Sequence, residues 1–140
     1  MSFNLSGKRV WVAGHRGMVG GAVARRLESE GCEVLLVARE VVDLLDQVAV
    51  KEWMTEARPD AIVVAAAKVG GIHANNSAPV DFLQNNLVIQ NNILAAAHAC
   101  DVDRLLFLGS SCIYPKFAEQ PIREDSLLTG ALEPTNEWYA

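Results

Sequence analysis

Val10–Gly21, VWVAGHRGMVGG, restricts what this chain can become more than any other stretch. Its apolar run Val10–Ala13 reads as a buried parallel strand. Gly14, Gly17 and Gly20 follow, and a helical pattern opens near Met18. Strand, glycine turn and helix in that order predict the entry of a βαβ unit that binds a dinucleotide. Glycine suits such a turn because φ can go positive and no Cβ holds the backbone away from a pyrophosphate. The first N–H groups of the helix, at Met18 and Val19, then face the anion along the helix dipole. A turn that only packs a helix on a strand would use the same glycines. Their position between strand and helix is what favours the anion site.

With 140 residues the chain is sized for about one domain with a real core. It is 51% apolar but only 6% aromatic, which suits an α/β sheet packed with Val, Leu and Ala. A net charge of −5 without a basic run argues against nucleic acid or a membrane surface as partner. No run of about eighteen apolar residues and no signal-peptide core is present, so a soluble, cytoplasmic protein is expected. Cys32, Cys100 and Cys112 are odd in number and lack CxxC spacing. That predicts neither a disulfide framework nor a metal site and fits a reducing compartment.

In order, the chain predicts a strand at Lys8–Ala13 and a helix at Met18–Glu30. Val19, Val23 and Leu27 would form the helix's buried face, and Gly31 its stop. Glu33–Ala38 reads as the second strand, ending at Arg39, where this fold meets the adenosine ribose. Arg39 suits the 2′-phosphate of NADP, and Glu40 beside it is the acidic alternative that would suit NAD. NADP is the favoured reading. Asp46 is placed to cap a helix from Gln47 to Arg58, closed by Pro59. Ala61–Ala66 is the third strand, and AAKVGGIHANNSAP reads as a loop in which His73 is solvated. Pro79 opens a long helix over Val80–Cys100 that carries Asn85, Asn86, Asn91 and Asn92, although Asn is a poor helix former. Arg104–Gly109 is the fourth strand, and Asn136–Ala140 begins another helix. The predicted fold is α/β, a Rossmann-type doubly wound parallel sheet cut off after about four strands.

GSSCIYP follows the fourth strand and PTNEWYA ends the chain. Hydroxyls at strand ends face the ligand crevice of an open α/β sheet. Ser110 and Tyr139 are therefore placed to hydrogen-bond a substrate carbonyl, with Tyr139 protonating its oxygen as hydride arrives. A phenol needs a neighbouring cation for that work near neutrality, and none stands beside Tyr139 in the sequence.

GHRGMVG, AAAKVGGI, NNLVIQNNIL, LLFLGSSCIYPK and LEPTNEWYA together resemble the GDP-L-fucose synthase family of extended short-chain dehydrogenases/reductases. The likeness covers essentially the whole chain, as the N-terminal two-fifths of such an enzyme. The resemblance implies an epimerase/reductase. It would invert C3 and C5 of GDP-4-keto-6-deoxy-mannose and then reduce the ketone with NADPH. By resemblance, Gly14, Gly17 and Gly20 form the pyrophosphate turn, Arg16 lies in it, and Arg39 takes the 2′-phosphate. Asn86 helps to position the cofactor loops. Ser110 bonds the 4-keto group, Cys112 is the epimerisation base, and Tyr139 is the proton donor of a YxxxK pair. Beside the reacting ketone, acidified C–H bonds make a thiolate a competent base. The Lys of that pair and a second epimerisation residue would lie beyond Ala140, so the 140 residues alone are expected to be inactive. The long helix and the one begun at Tyr139 are the pair through which such enzymes form homodimers. Two other readings stand beside this one: a non-catalytic NADP-binding domain, and a relative acting on a different nucleotide sugar.

Overall fold

The computed structural model describes residues 3–140. They divide into two compact units, one reaching to Ala67 and resuming at Val88–Leu108, the other comprising Lys68–Leu87 and Gly109–Ala140.

The first unit holds a parallel sheet of β1 (Arg9–Ala13), β2 (Glu33–Leu35), β3 (Ala61–Val64) and β4 (Arg104–Phe107), in the order β2-β1-β3-β4. Alternation along β1 sorts its side chains between two cores. Trp11 and Ala13 pack with Ile62 and Val64 of β3, with Val50 and Met54 of α2 (Gln47–Ala57), and with Ile93, Ala96 and Ala97. Those last three lie on the second half of a long helix, Pro79–Ala99. Val10, Val12 and Ala61 instead meet Ala24 and Leu27 of α1 (Met18–Leu27). Helices thus cover both faces, as a doubly wound sheet requires. The chain leaves β1 for β2 and returns to β1's other side as β3. The ligand-binding reversal point of such a sheet is therefore at the carboxyl ends of β1 and β3.

Asp60 ties the opposite edge together. Its Oδ2 accepts the Arg9 N–H at 2.8 Å and its Oδ1 accepts Lys8 Nζ at 3.0 Å. The main chain of Asp60 donates to the Arg9 carbonyl and accepts from the Arg104 N–H.

Several boundaries move from the sequence expectation. α1 stops at Leu27, before Gly31, which has positive φ in the turn that follows. Its buried stripe is Gly20, Ala24 and Leu27, whereas Val19 is 48% exposed. Glycine at position 20 lets the helix sit against the Gly14 carbonyl, and Val23 and Leu27 of the expected face still pack on the core. β2 ends at Leu35 rather than Ala38, so Arg39 stands in a turn beyond the strand. β3 and β4 close two residues early, at Val64 and Phe107. β4 pairs only with β3 and leaves Leu106 and Phe107 exposed, as expected of an apolar edge. Asp46 caps α2 as expected, its carboxylate accepting the N–H groups of Val48 and Ala49.

In the second unit, α3 (Ile72–Ser77) occupies the middle of the expected loop and carries an exposed His73. α4, the long helix Pro79–Ala99, begins in this unit and ends in the first. A short 3-10 turn at Ser111–Ile113 follows β4, and a second lies at Glu124–Ser126. The Ala140 N–H bonds the Asn136 carbonyl at 3.0 Å, the single helical turn expected at 136–140.

Candidate functional site

The three glycines of the first turn do different jobs. Gly14 has φ +87, and a Cβ there would lie 2.6 Å from the Ala65 carbonyl oxygen, so its hydrogen lets β1 and β3 close together. A Cβ on Gly20 would overlap the Gly14 carbonyl, so Gly20 brings the helix against the turn. Gly17 has an ordinary backbone, φ −78, and its Cβ position meets only the Gly14 oxygen, at 3.3 Å. The protein itself demands glycine at 14 and 20 but barely at 17, whose open side faces away from the fold.

Gly17 is also the N-cap of α1, and no side chain caps that helix or places an acid in its first turn. The N–H groups of Met18 and Val19 therefore have no side-chain acceptor, and Met18 is 89% exposed. His15 Nδ1 is buried without a hydrogen-bond partner among the described residues. An open glycine backbone, an uncapped helix start and an orphaned ring nitrogen all suit a bound phosphate. The residues present fit the pyrophosphate of a dinucleotide.

Arg16 extends from this turn to Glu40, with Nη1 at 2.9 and 3.0 Å from the two carboxylate oxygens. Arg39 reaches Asp43 instead, Nη2 to Oδ2 at 3.3 Å. The Glu40 carboxyl is held below the usual carboxylate range, first by its own backbone N–H and then by the Arg16 guanidinium. Both arginines are well exposed.

In the second unit, Asn86 clamps one residue of the segment after β3. Its Oδ1 accepts the Lys68 N–H at 2.7 Å and its Nδ2 donates to the Lys68 carbonyl at 3.0 Å. Lys68 Nζ meets Asp81 Oδ2 at 3.0 Å and lies 5.4 Å from the Phe82 ring centre. Asn86 thus fixes the backbone at Lys68. Asn92, in the first unit, is buried and donates to the Leu44 carbonyl at 2.9 Å, so it is not a surface position.

Ser110 and Cys112 come together through the 3-10 turn. Ser110 Oγ accepts the Cys112 N–H at 3.1 Å. That bond uses one lone pair of the oxygen and leaves the O–H free to donate. Asn136 Nδ2 lies 3.8 Å from Cys112 Sγ, while its Oδ1 accepts Asn75 Nδ2 at 3.3 Å. Asn75 is 3% exposed, and its Oδ1 has no partner among the described residues. Tyr139 is half-buried, three residues beyond Asn136, and its phenol makes no hydrogen bond among the described residues. Sequence reasoning missed Asn75 and Asn136. Their 61-residue separation hides the contact, and the NN and PTNE strings that hold them show no chemistry of their own.

No group of three or more His, Cys, Asp or Glu is arranged to hold a metal among the described residues. No helix among them is long and apolar enough to cross a membrane.

The model of the NAD dependent epimerase/dehydratase family matches residues 10–140. A GDP-L-fucose synthase from Sinorhizobium fredii is 56% identical over 97% of this chain, which spans 43% of that relative's length. The solved structure of DdhaC superposes with a TM-score of 0.92 at 37% identity, covering 99% of this chain and 40% of that one. A GDP-L-fucose synthetase from Naegleria fowleri, solved with NADP bound, superposes with a TM-score of 0.84 at 28% identity, covering 99% of this chain and 42% of that one.

Proposed function

The chain belongs to the NAD dependent epimerase/dehydratase family, and we propose that it is the N-terminal part of an NADP-dependent epimerase/reductase that converts GDP-4-keto-6-deoxy-mannose to GDP-L-fucose. The observation that carries this reading is the Ser110–Cys112 turn, found in a chain 56% identical to a GDP-L-fucose synthase. It sets a hydroxyl with a free donor two residues from a thiol, the pair that a ketone with acidic neighbouring carbons requires.

NADPH supplies the hydride when bound. The N–H groups of Met18 and Val19 and the open face of Gly17 would hold its pyrophosphate, in the turn shaped by Gly14 and Gly20. Arg16 and Arg39 are the cations for the 2′-phosphate, and Asn86 holds the Lys68 loop. Ser110 donates its hydrogen bond to the 4-keto oxygen, which makes the C3 and C5 protons more acidic. Cys112 is the base that removes such a proton, and a second acid on the opposite face of the sugar, supplied by the rest of the full-length protein, returns one. Tyr139 protonates the oxygen during reduction.

The exposed Val80, Leu83, Leu87 and Leu94 of α4 suit a helix that pairs with a second copy, and a homodimer is part of this reading. Three unpaired cysteines fit a reducing cytoplasm.

The test uses the protein in its full natural length, incubated with GDP-4-keto-6-deoxy-mannose and NADPH in deuterated water. Substrate-dependent NADPH oxidation is expected, with deuterium at C3 and C5 of the product. In Cys112→Ser, deuterium incorporation should fall at least about 100-fold, as for loss of a general base, while NADPH binding persists. A folded protein that binds NADPH but neither oxidises it nor exchanges those protons refutes the proposal.

A further inference from the structure

Arg16 leaves the turn after β1 and Glu40 stands in the turn after β2, 24 residues apart, yet their side chains meet. That contact crosses the place where a Rossmann chain reads the adenosine ribose. An acid about 20 residues beyond the glycine motif accepts the 2′-hydroxyl of NAD, and an Arg nearby takes the 2′-phosphate of NADP. Here both kinds of residue are present, and they are bonded to each other.

The charges balance locally. Arg16 pairs with Glu40 and Arg39 with Asp43, so the two cations facing a 2′-phosphate are each matched by a carboxylate. Glu40 engages Arg16 through Nη1 alone, with both of its oxygens. Nη2 and Nε of Arg16 are left to receive a second acceptor, so a phosphate can bind without breaking the pair. It must then sit beside a carboxylate, and like charges at that range repel. A ribose hydroxyl meets the opposite situation, because Glu40 keeps lone pairs for a donor.

Resting on the cofactor reading above, we propose that Glu40 is a specificity-determining residue that weakens discrimination between NADPH and NADH. It restrains Arg16 and repels the 2′-phosphate while offering an acceptor to an unmodified ribose. The site is thereby tuned to use both cofactors, with NADPH preferred by less than its two arginines would allow.

Titration calorimetry of the chain and of Glu40→Gln with NADPH and with NADH tests this. The fragments 2′,5′-ADP and 5′-AMP repeat the comparison without the nicotinamide end. Glu40 and Arg16 are both exposed, so Gln should leave the fold intact. NADPH should bind about threefold tighter to the variant, the scale of one exposed charge interaction. NADH should bind no tighter, so the ratio of the two affinities rises. Glu40→Ala should move it in the same direction. An unchanged or lower ratio, in a chain whose native form binds NADPH, overturns the role of Glu40 and leaves the cofactor reading standing. Native protein that binds neither cofactor overturns both.

Discussion

Replacing Gly17 with alanine separates a phosphate-binding turn from one that merely packs. The backbone at this position, φ −78 and ψ 169, is open to any L-residue. The added methyl would meet one atom, the Gly14 oxygen at 3.3 Å, and a shift of a few tenths of an ångström relieves it. Alanine is a poorer N-cap than glycine by roughly 0.5–1 kcal/mol. The smaller entropy of its unfolded chain returns about 0.4–1 kcal/mol. The two nearly cancel, so the melting temperature followed by circular dichroism should move by no more than about 5 °C. Gly14→Ala sets the contrasting scale. There the residue is forced to φ +87 with its Cβ 2.6 Å from the Ala65 oxygen, between two central strands. Strain and overpacking together should cost about 2–4 kcal/mol. Affinity for NADPH, measured by titration calorimetry, should behave differently. A methyl on the open face of Gly17 occupies the space that a pyrophosphate needs and should weaken binding about tenfold or more, at least 1.4 kcal/mol. Gly17→Ala binding within about twofold of the native chain would refute the phosphate-binding turn. A loss of stability as large as that of Gly14→Ala would show that Gly17, too, is there for packing.

Two further outcomes follow from the hydrogen bonds. The Asp60 carboxyl is held below its ordinary value, first by the Arg9 N–H and then by Lys8, so its stabilising effect is complete above about pH 4 and fades as pH falls through the lowered value. Lys8 is raised by the same partner, and its share is lost only on the alkaline side, above its ordinary value of 10.5. Melting temperatures from pH 7 down to pH 2 should therefore fall less steeply for Asp60→Asn than for the native chain, and equal slopes would contradict the assignment. Asn86→Asp keeps the acceptor for the Lys68 N–H but turns a second oxygen toward the Lys68 carbonyl, at a cost of about 1–3 kcal/mol. Hydrogen exchange at the Lys68 amide should quicken, and an unchanged rate would mean that the clamp does not hold the loop.

The parts of the fold that were legible in the sequence are those whose signal is local. Val10–Ala13 is apolar at every position because both faces of β1 are covered, and a run without alternation states that directly. Asp46 announced a cap, and Pro79 a helix start, by residue type and position. Errors arose where a neighbour distant in sequence decides the outcome. Val19 fits a buried face by four-residue spacing with Val23 and Leu27, and those two do pack on the core, but Val19 is 48% exposed where Gly20 sits close on the Gly14 carbonyl. The loop after β3 holds the helix Ile72–Ser77, and its backbone is bonded at Lys68 by Asn86, eighteen residues on. Arg39 reads as a strand-end cation, yet β2 finds only three partners on β1 and ends before it.

The same distinction runs through the functional site. Glycine, Ser, Cys and Tyr declare a chemistry by what they are, so the turn at 14–20 and the GSSCIYP run could be found one residue at a time. What those groups can do depends on residues that declare nothing. The Ser110 hydroxyl is oriented by the Cys112 amide, which uses one lone pair of the hydroxyl oxygen. The donor beside Cys112 Sγ is Asn136, itself held by a buried Asn75 whose own oxygen has no partner among the described residues. An unpaired oxygen in a buried amide is costly, of order 1–3 kcal/mol. The same Asn75 side chain donates to Asn136 Oδ1 at 3.3 Å, while Asn136 Nδ2 lies 3.8 Å from the Cys112 thiol. The sequence shows which residue types could react, and the hydrogen bonds that orient them come from amides that only the folded chain brings within reach.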